Sequence, residues 1–188
     1  EQEISVEINK NRYNEYHNKE RFIQEYNLYS EEETPEIRAL AREFQRLHSE
    51  HNWSTYNQAY NIMSFVQSCI PYSYDKDSTP FIDWARYPIE TIMDGTGDCE
   101  DVAILCGAIL ARLGFSSVLL LYPTPCHLAF GVQASDSLKG EYVFDETTNK
   151  KYYYGEATSK GWRLGEIPIE YRSTKPLKIY PINITIRE

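Results

Sequence analysis

"DGTGDCEDVAIL", residues 94–105, is the stretch on which the reading of this chain turns. Glycines and acids crowd around a single thiol, Cys99, and the chain then becomes apolar. A cysteine where a glycine loop meets a buried helix admits three readings: a core thiol, a metal ligand or a nucleophile. Free backbone N–H groups and the dipole at a helix start favour a thiolate. Asp98 and Asp101 work the other way, since carboxylates raise a thiol's pKa, and Asp98 can serve instead as the N-cap. Gly95 and Gly97 let backbone, or a substrate, approach closely. The stretch alone leaves the core thiol and the nucleophile both open.

Outward from Cys99, the following helix carries Val102, Ala103, Leu105, Cys106, Ile109, Leu110 and Leu113 before Gly114 stops it. It is apolar around much of its circumference, so it is expected to be central and buried. Upstream, Thr34 as N-cap and Pro35 at the first helical position open a helix with the stripe Ile37, Leu40, Ala41, Phe44 and Leu47. Ser54 caps a second helix running to about Gln67. Residues 71–97 read as a long loop, a length that is more often functional than idle. Downstream, "SSVLLLY" is a continuous apolar run suited to a strand covered on both faces. "HLAFGVQ", "EYVFDE", "KYYYGEA" and "WRLGEI" follow as further strand candidates. Helices first and strands later define an α+β domain in which an antiparallel sheet packs on a central helix. Residues 1–33 read as an N-terminal arm or linker, with "EISVEI" as a short edge strand and "YNLYSEEETP" as linker; residues 34–188 form the domain proper.

Composition narrows the function. The hydrophobic fraction of 41% and aromatic fraction of 14%, with sixteen tyrosines, suit a globular fold. A net charge of -9 without a basic stripe argues against nucleic acid and anionic membrane surfaces as partners. No run of eighteen apolar residues is present to span a bilayer. The chain starts at Glu1, which leaves room for a removed upstream signal or anchor and, with it, an exported or cell-surface location. Cys69, Cys99, Cys106 and Cys126 form no CxxC pair, so a structural zinc site is not expected; a Cys69–Cys126 disulfide is conceivable. No cofactor or metal is called for, and oligomeric state leaves no trace in the sequence.

A nucleophilic thiol needs a base, and the base needs an orienting acceptor. His17, His48 and His51 lie in polar settings. His127 opens the apolar strand "HLAFGV", where a ring nitrogen needs a partner. Two carboxylates qualify as that partner: Asp145 in "FDETT" and Glu156 in "GEATSKGW". A plain meander pairs the Asp145 region with His127, whereas an excursion over 134–150 brings Glu156 beside the ring. Gln67 sits at a helix end upstream of Cys99. Trp84 and Tyr87 in "FIDWARYP" can wall a substrate groove. The "SEEET" run is most simply a solvated linker, although acidic enough for a weak cation site.

"GDCEDVAILCGAILARLGF", then "HLAFGV", then an aromatic strand ending in an acid-x-Thr triplet, resembles the transglutaminase-like superfamily. The blocks "YPIETIMDGTGDCED" and "YYYGEATSKGWRLGEIP" are closest to its prokaryotic members, over about residues 55 to 172. The resemblance implies a papain-like core in which Cys99 is the nucleophile and His127 its base. It implies Glu156 as the acid, with Asp145-Glu146-Thr147 also matching the commoner family triplet. It further implies Gln67 as a stabiliser of the oxyanion. The expected activity is cysteine-dependent acyl transfer on peptide or glutamine-type amides through a thioester, with water as the preferred acceptor. Transfer to an amine, and an inactive binding or scaffolding module, are the alternatives. The implied partner is a protein or peptide substrate.

Overall fold

A computed structural model describes residues 3–22, 24–81, 83–133 and 140–184. Seven helices occur among them: α1 (Lys10–His17), α2 (Tyr26–Glu31), α3 (Pro35–His51), α4 (Thr55–Cys69), α5 (Asp75–Ser78), α6 (Pro88–Asp94) and α7 (Cys99–Arg112). The strands are β1 (Ser117–Pro123), β2 (Cys126–Gln133), β3 (Tyr142–Asp145), β4 (Lys150–Gly155) and β5 (Lys178–Pro181). They form one antiparallel sheet in the order β3-β4-β2-β1-β5.

α7 is the centre. Every residue from Glu100 to Ala111 is buried, because α2, α3, α4 and α6 contact it as well as β1 and β2. A helix enclosed in this way has no polar face to spare, which is the physical content of its unbroken apolar sequence. Gly114 ends it with φ +83°, a conformation that a side chain rarely adopts. Thr34 Oγ1 accepts the Ile37 N–H and Ser54 Oγ the Asn57 N–H, so α3 and α4 start where their caps place them. The apolar stripe of α3, from Ile37 to Leu47, is buried.

Several local expectations are corrected. Residues 71–97 are not simply a loop, since they contain α5 and α6. "YNLYSEEE" contains α2 instead of a linker: Tyr29 is buried and Ser30 Oγ donates to the Ile104 carbonyl of α7 at 3.0 Å. Glu32 and Glu33 pair with Lys19, Arg38 and Arg112, and Arg112 also donates to the Ser30 and Glu32 carbonyls. The "SEEET" acids therefore fasten the arm to the end of α7. "EISVEI" forms no strand; Ile4, Val6 and Ile8 lean on the core without a hydrogen-bonded partner strand. "WRLGEI" is a series of turns, and the fifth strand is β5, a short segment ending in proline.

The sheet order resolves the topological choice. β4 pairs directly with β2, with Phe130 opposite Gly155, while β3 lies outside β4. The excursion thus delivers Glu156, the residue after β4, towards the start of β2. Gly155 is required there: a Cβ would lie 2.1 Å from Cζ of the fully buried Phe130. Gly155→Ala is expected to destabilise the protein by about 2–3 kcal/mol, read as a lowered urea midpoint. An unchanged midpoint would mean that the β2–β4 contact is looser than described.

Candidate active site

Cys99 is the first residue of α7, held between two anchored segments. A parallel bridge joins Tyr72 to Gly97, so the chain leaving α4 meets the chain entering α7. Gly97 fits against Asp101, whose Cβ would be 2.6 Å from any added methyl. Asp101 Oδ2 accepts the Asp98 N–H at 3.2 Å, fixing the turn before the cysteine. Behind this turn lies a buried ion cluster that the sequence did not announce. Arg86 Nη1 contacts Asp101 Oδ2 at 2.5 Å and Asp75 Oδ1 at 2.9 Å, and Nε contacts Asp94 at 3.2 Å. Asp101 also accepts the Arg86 N–H, and Asp75 the Trp84 N–H. The signal for it was an acid-rich stretch with two bases, Lys76 and Arg86.

The backbone N–H of Leu128, the residue after His127, lies near the thiol and works to lower its pKa. Its Sγ also lies 3.2 Å from Glu100 Oε2. Burial, then the charges of Glu100 and Asp98, push the thiol well above its ordinary pKa, against the lowering effect of the Leu128 N–H. Oxygens of Asp98 and Glu100 lie within 4.8 Å of each other, and burial raises both carboxyls. The resting sulfur is therefore a neutral thiol, and the helix dipole does not prevail.

His127 Nε2 lies 2.9 Å from Glu156 Oε2. Tyr154 donates its hydroxyl to the same oxygen at 3.0 Å, and Thr158 donates its N–H and hydroxyl to Oε1 at 3.1 and 2.6 Å. Burial pushes Glu156 upward, but the bonds from His127 and Thr158 outweigh it and hold the carboxyl below its usual range. The opposite face of the imidazole stacks on Tyr171 at 5.0 Å and 7°. The ring is thus gripped at one nitrogen and one face. Tyr154, Thr158, Tyr171, Glu100 and Leu128 escaped the sequence reading because each acts through tertiary placement.

The other expected site residues fall elsewhere. Asp145 is buried at the end of β3, where its carboxylate accepts the Thr147 N–H at 2.9 Å and the Thr148 hydroxyl at 2.6 Å, the bonds of a turn. The amide of Gln67 donates to the carbonyls of Glu156, at 2.7 Å, and Trp162, at 3.2 Å. Both of its hydrogens are committed, so in this arrangement none points at an oxyanion; the side chain braces the segment that presents Glu156. Tyr87 is fully buried, donates to the Glu20 carbonyl and packs on Tyr16 and Tyr29, which makes it core and not a groove wall. Trp84 is partly exposed, stacks on Phe81 and does line a cavity. Cys106 is buried, Cys69 and Cys126 are exposed, and all four thiols are free.

Three overlapping groups bring possible cation ligands within 4.8 Å: Asp98–Cys99–Glu100, Asp75–Asp83–Glu100 and Asp75–Asp98–Asp101. Asp75 and Asp101 are already occupied by Arg86. No metal assignment follows from them.

A helical layer on an antiparallel sheet, with a cysteine at the head of the central helix and a histidine on the adjoining strand, is the transglutaminase-like, papain-like arrangement. The chain belongs to the DUF553 family of transglutaminase-like domains, whose model matches residues 36–169. Among solved structures, the chain is similar to "a Putative Cysteine Protease from Cytophaga hutchinsonii", with 15% identity and a TM-score of 0.43. That match covers 85% of this chain and 52% of the other, so the chain spans about half its length. None of the curated proteins matches the chain. Among the described residues, no helix is long and apolar enough to cross a membrane.

Proposed function

We propose that the protein is a cysteine hydrolase of peptide or carboxamide bonds, with Cys99 as nucleophile, His127 as base and Glu156 as the group that orients the imidazole. The observation that carries this reading is the 2.9 Å contact between His127 and Glu156, next to Leu128, whose N–H lies near the Cys99 thiol and works to lower its pKa. A neutral imidazole with its proton on Nε2 donates to Glu156 and leaves Nδ1 as the basic nitrogen. Because the thiol is neutral at rest, its proton passes to His127 as sulfur bonds to the substrate carbonyl carbon. The tetrahedral adduct collapses with cleavage of the C–N bond, and the leaving amine takes that proton from His127. Water then attacks the thioester, gives one proton to His127, and the acid departs as the proton returns to sulfur. Cys99 is itself partly exposed, so water reaches the thioester, which favours hydrolysis over transfer to an amine.

The test is the rate of iodoacetamide alkylation at Cys99, followed by peptide mass with exposed Cys69 as internal reference. His127→Ala is expected to slow Cys99 by at least about tenfold and leave Cys69 unchanged. Glu100→Gln is expected to accelerate Cys99 several-fold at pH 7, since it removes the carboxylate that holds the thiol proton. A Cys99 rate indifferent to His127→Ala would overturn the reading.

A further inference from the structure

Beside the thiol lies a cavity of about 460 Å³, large enough for one bulky side chain and its flanking backbone. Its position ties it to the reacting pair. Cys126, which lines it, immediately precedes His127. Asp83, at its rim, has a carboxylate oxygen within 4.8 Å of one from Glu100, and Glu100 in turn contacts the Cys99 sulfur. The hydroxyl of Tyr26, another lining residue, is pushed above its ordinary pKa by burial and then by the nearby carboxylates of Glu100 and Asp83. A substrate with its carbonyl at Cys99 would therefore direct an adjacent side chain into this space.

We infer that the cavity is a side-chain subsite for an aromatic residue of the substrate. The inference rests on the reading of Cys99 and His127 as the reacting pair. Phe22, Tyr26, Tyr29, Trp84 and Leu121 make the lining aromatic and apolar, which suits a flat ring. The carboxylate of Asp83, on the lining, opposes entry of an acidic residue, and Glu100 lies within 4.8 Å of it. Arg21 does not offset it, because its guanidinium is held by the fully buried Glu90 through Nη2, at 2.7 and 2.9 Å. That guanidinium lies 4.1 Å over the Trp84 ring, which fixes the aromatic wall.

The source of the wall is informative. Arg21, Phe22, Tyr26 and Tyr29 all precede residue 36, where the family match begins. His17 Nδ1 reaches Glu90 at 3.0 Å alongside Arg21, which locks the arm onto α6. The subsite is thus an addition of the N-terminal arm to a shared core, and it gives the arm a role in selecting substrate.

The experiment uses the full chain carrying Cys99→Ala, titrated by NMR with N-acetyl-tyrosinamide, N-acetyl-phenylalaninamide and N-acetyl-aspartamide. Both aromatic amides are expected to bind about tenfold tighter than aspartamide. Leu177→Glu, at a lining residue that is 70% exposed and tolerant of change, is expected to weaken both aromatic ligands about fivefold or more. Equal binding of the three amides, no saturable binding of tyrosinamide, or indifference to Leu177→Glu overturns the subsite. The alkylation of Cys99 in the unmodified protein judges the reacting pair independently, so the two readings can fail separately.

Discussion

Arg86→Met is expected to destabilise the protein by about 3–5 kcal/mol, measured as the loss in unfolding free energy from urea titration at pH 7. The wild-type guanidinium is 1% exposed and faces the side chains of Asp75 and Asp101, each 0% exposed, with Asp94 and Ser78 completing the contacts. Methionine fills similar volume without charge, so two carboxylates are left buried with no cation. Burial already pushes Asp75 and Asp101 upward against the pull of Arg86. In the variant that pull is gone, and their folded-state pKa values rise further above the unfolded ones. A carboxyl of this kind favours the folded state while protonated and loses that advantage as pH rises. The deficit of Arg86→Met relative to wild type should therefore shrink on going from pH 7 to pH 5. Arg86→Lys is expected to restore only part of the stability, because one ammonium cannot reproduce the fork that meets Asp75, Asp101 and Asp94 together. A deficit below about 1 kcal/mol would show that the cluster is a solvated surface group and not the anchor of the loop before α7.

How much of this was legible depended on whether the cause was local. α7 could be read because its boundaries are written in its own residues, Asp98 and Gly114, and its burial in an unbroken apolar run. α2 could not, since "YNLYSE" has little helical periodicity; it is held by Ser30 bonding to Ile104 and by the buried Tyr29, partners about seventy residues away in one case. "EISVEI" shows what alternation reports. Ile4, Val6 and Ile8 do face the core, so the period-2 pattern recorded one-sided burial, but pairing requires a free edge. Both sheet edges, β3 and β5, are built from other segments. Cys99 and His127, the pair proposed to react, stand out for a different reason: a thiol at a helix start and a histidine at the head of an apolar strand are each unusual where they stand. Gln67 stands out as a helix-end amide upstream of Cys99, but only its two carbonyl acceptors reveal that its amide is already engaged.

The acid was the least legible element, and its exchange is expected to have the largest effect on turnover. Glu156→Gln should lower kcat for peptide hydrolysis on the order of 10²–10⁴-fold, while Asp145→Asn should change it less than about threefold. The two carboxylates look equivalent in sequence, each followed by a threonine two positions on. Space separates them. Glu156 Oε2 contacts His127 at 2.9 Å, and Asp145 is occupied by Thr147 and Thr148 at the β3–β4 turn. A glutamine at 156 can still accept from the imidazole, but it cannot stabilise the imidazolium formed when Cys99 gives up its proton. The defect should therefore fall on kcat more than on KM. It should also lower the thermal midpoint by several degrees, because with its oxygen toward the imidazole the glutamine NH2 faces the Thr158 N–H, donor against donor. Asn at 145 keeps an oxygen for the Thr147 N–H, so the turn survives at a cost of about 0.5–1.5 kcal/mol. Acid pH offers a second discriminator. Glu156 is held below its usual range, so it contributes stability that is present above the unfolded glutamate value of about 4.3 and is lost as pH falls through the folded one. Glu156→Gln should flatten that part of the acid limb. Loss of turnover in Asp145→Asn with normal turnover in Glu156→Gln would invert the assignment and require β3, not β4, to lie against β2 in the working enzyme.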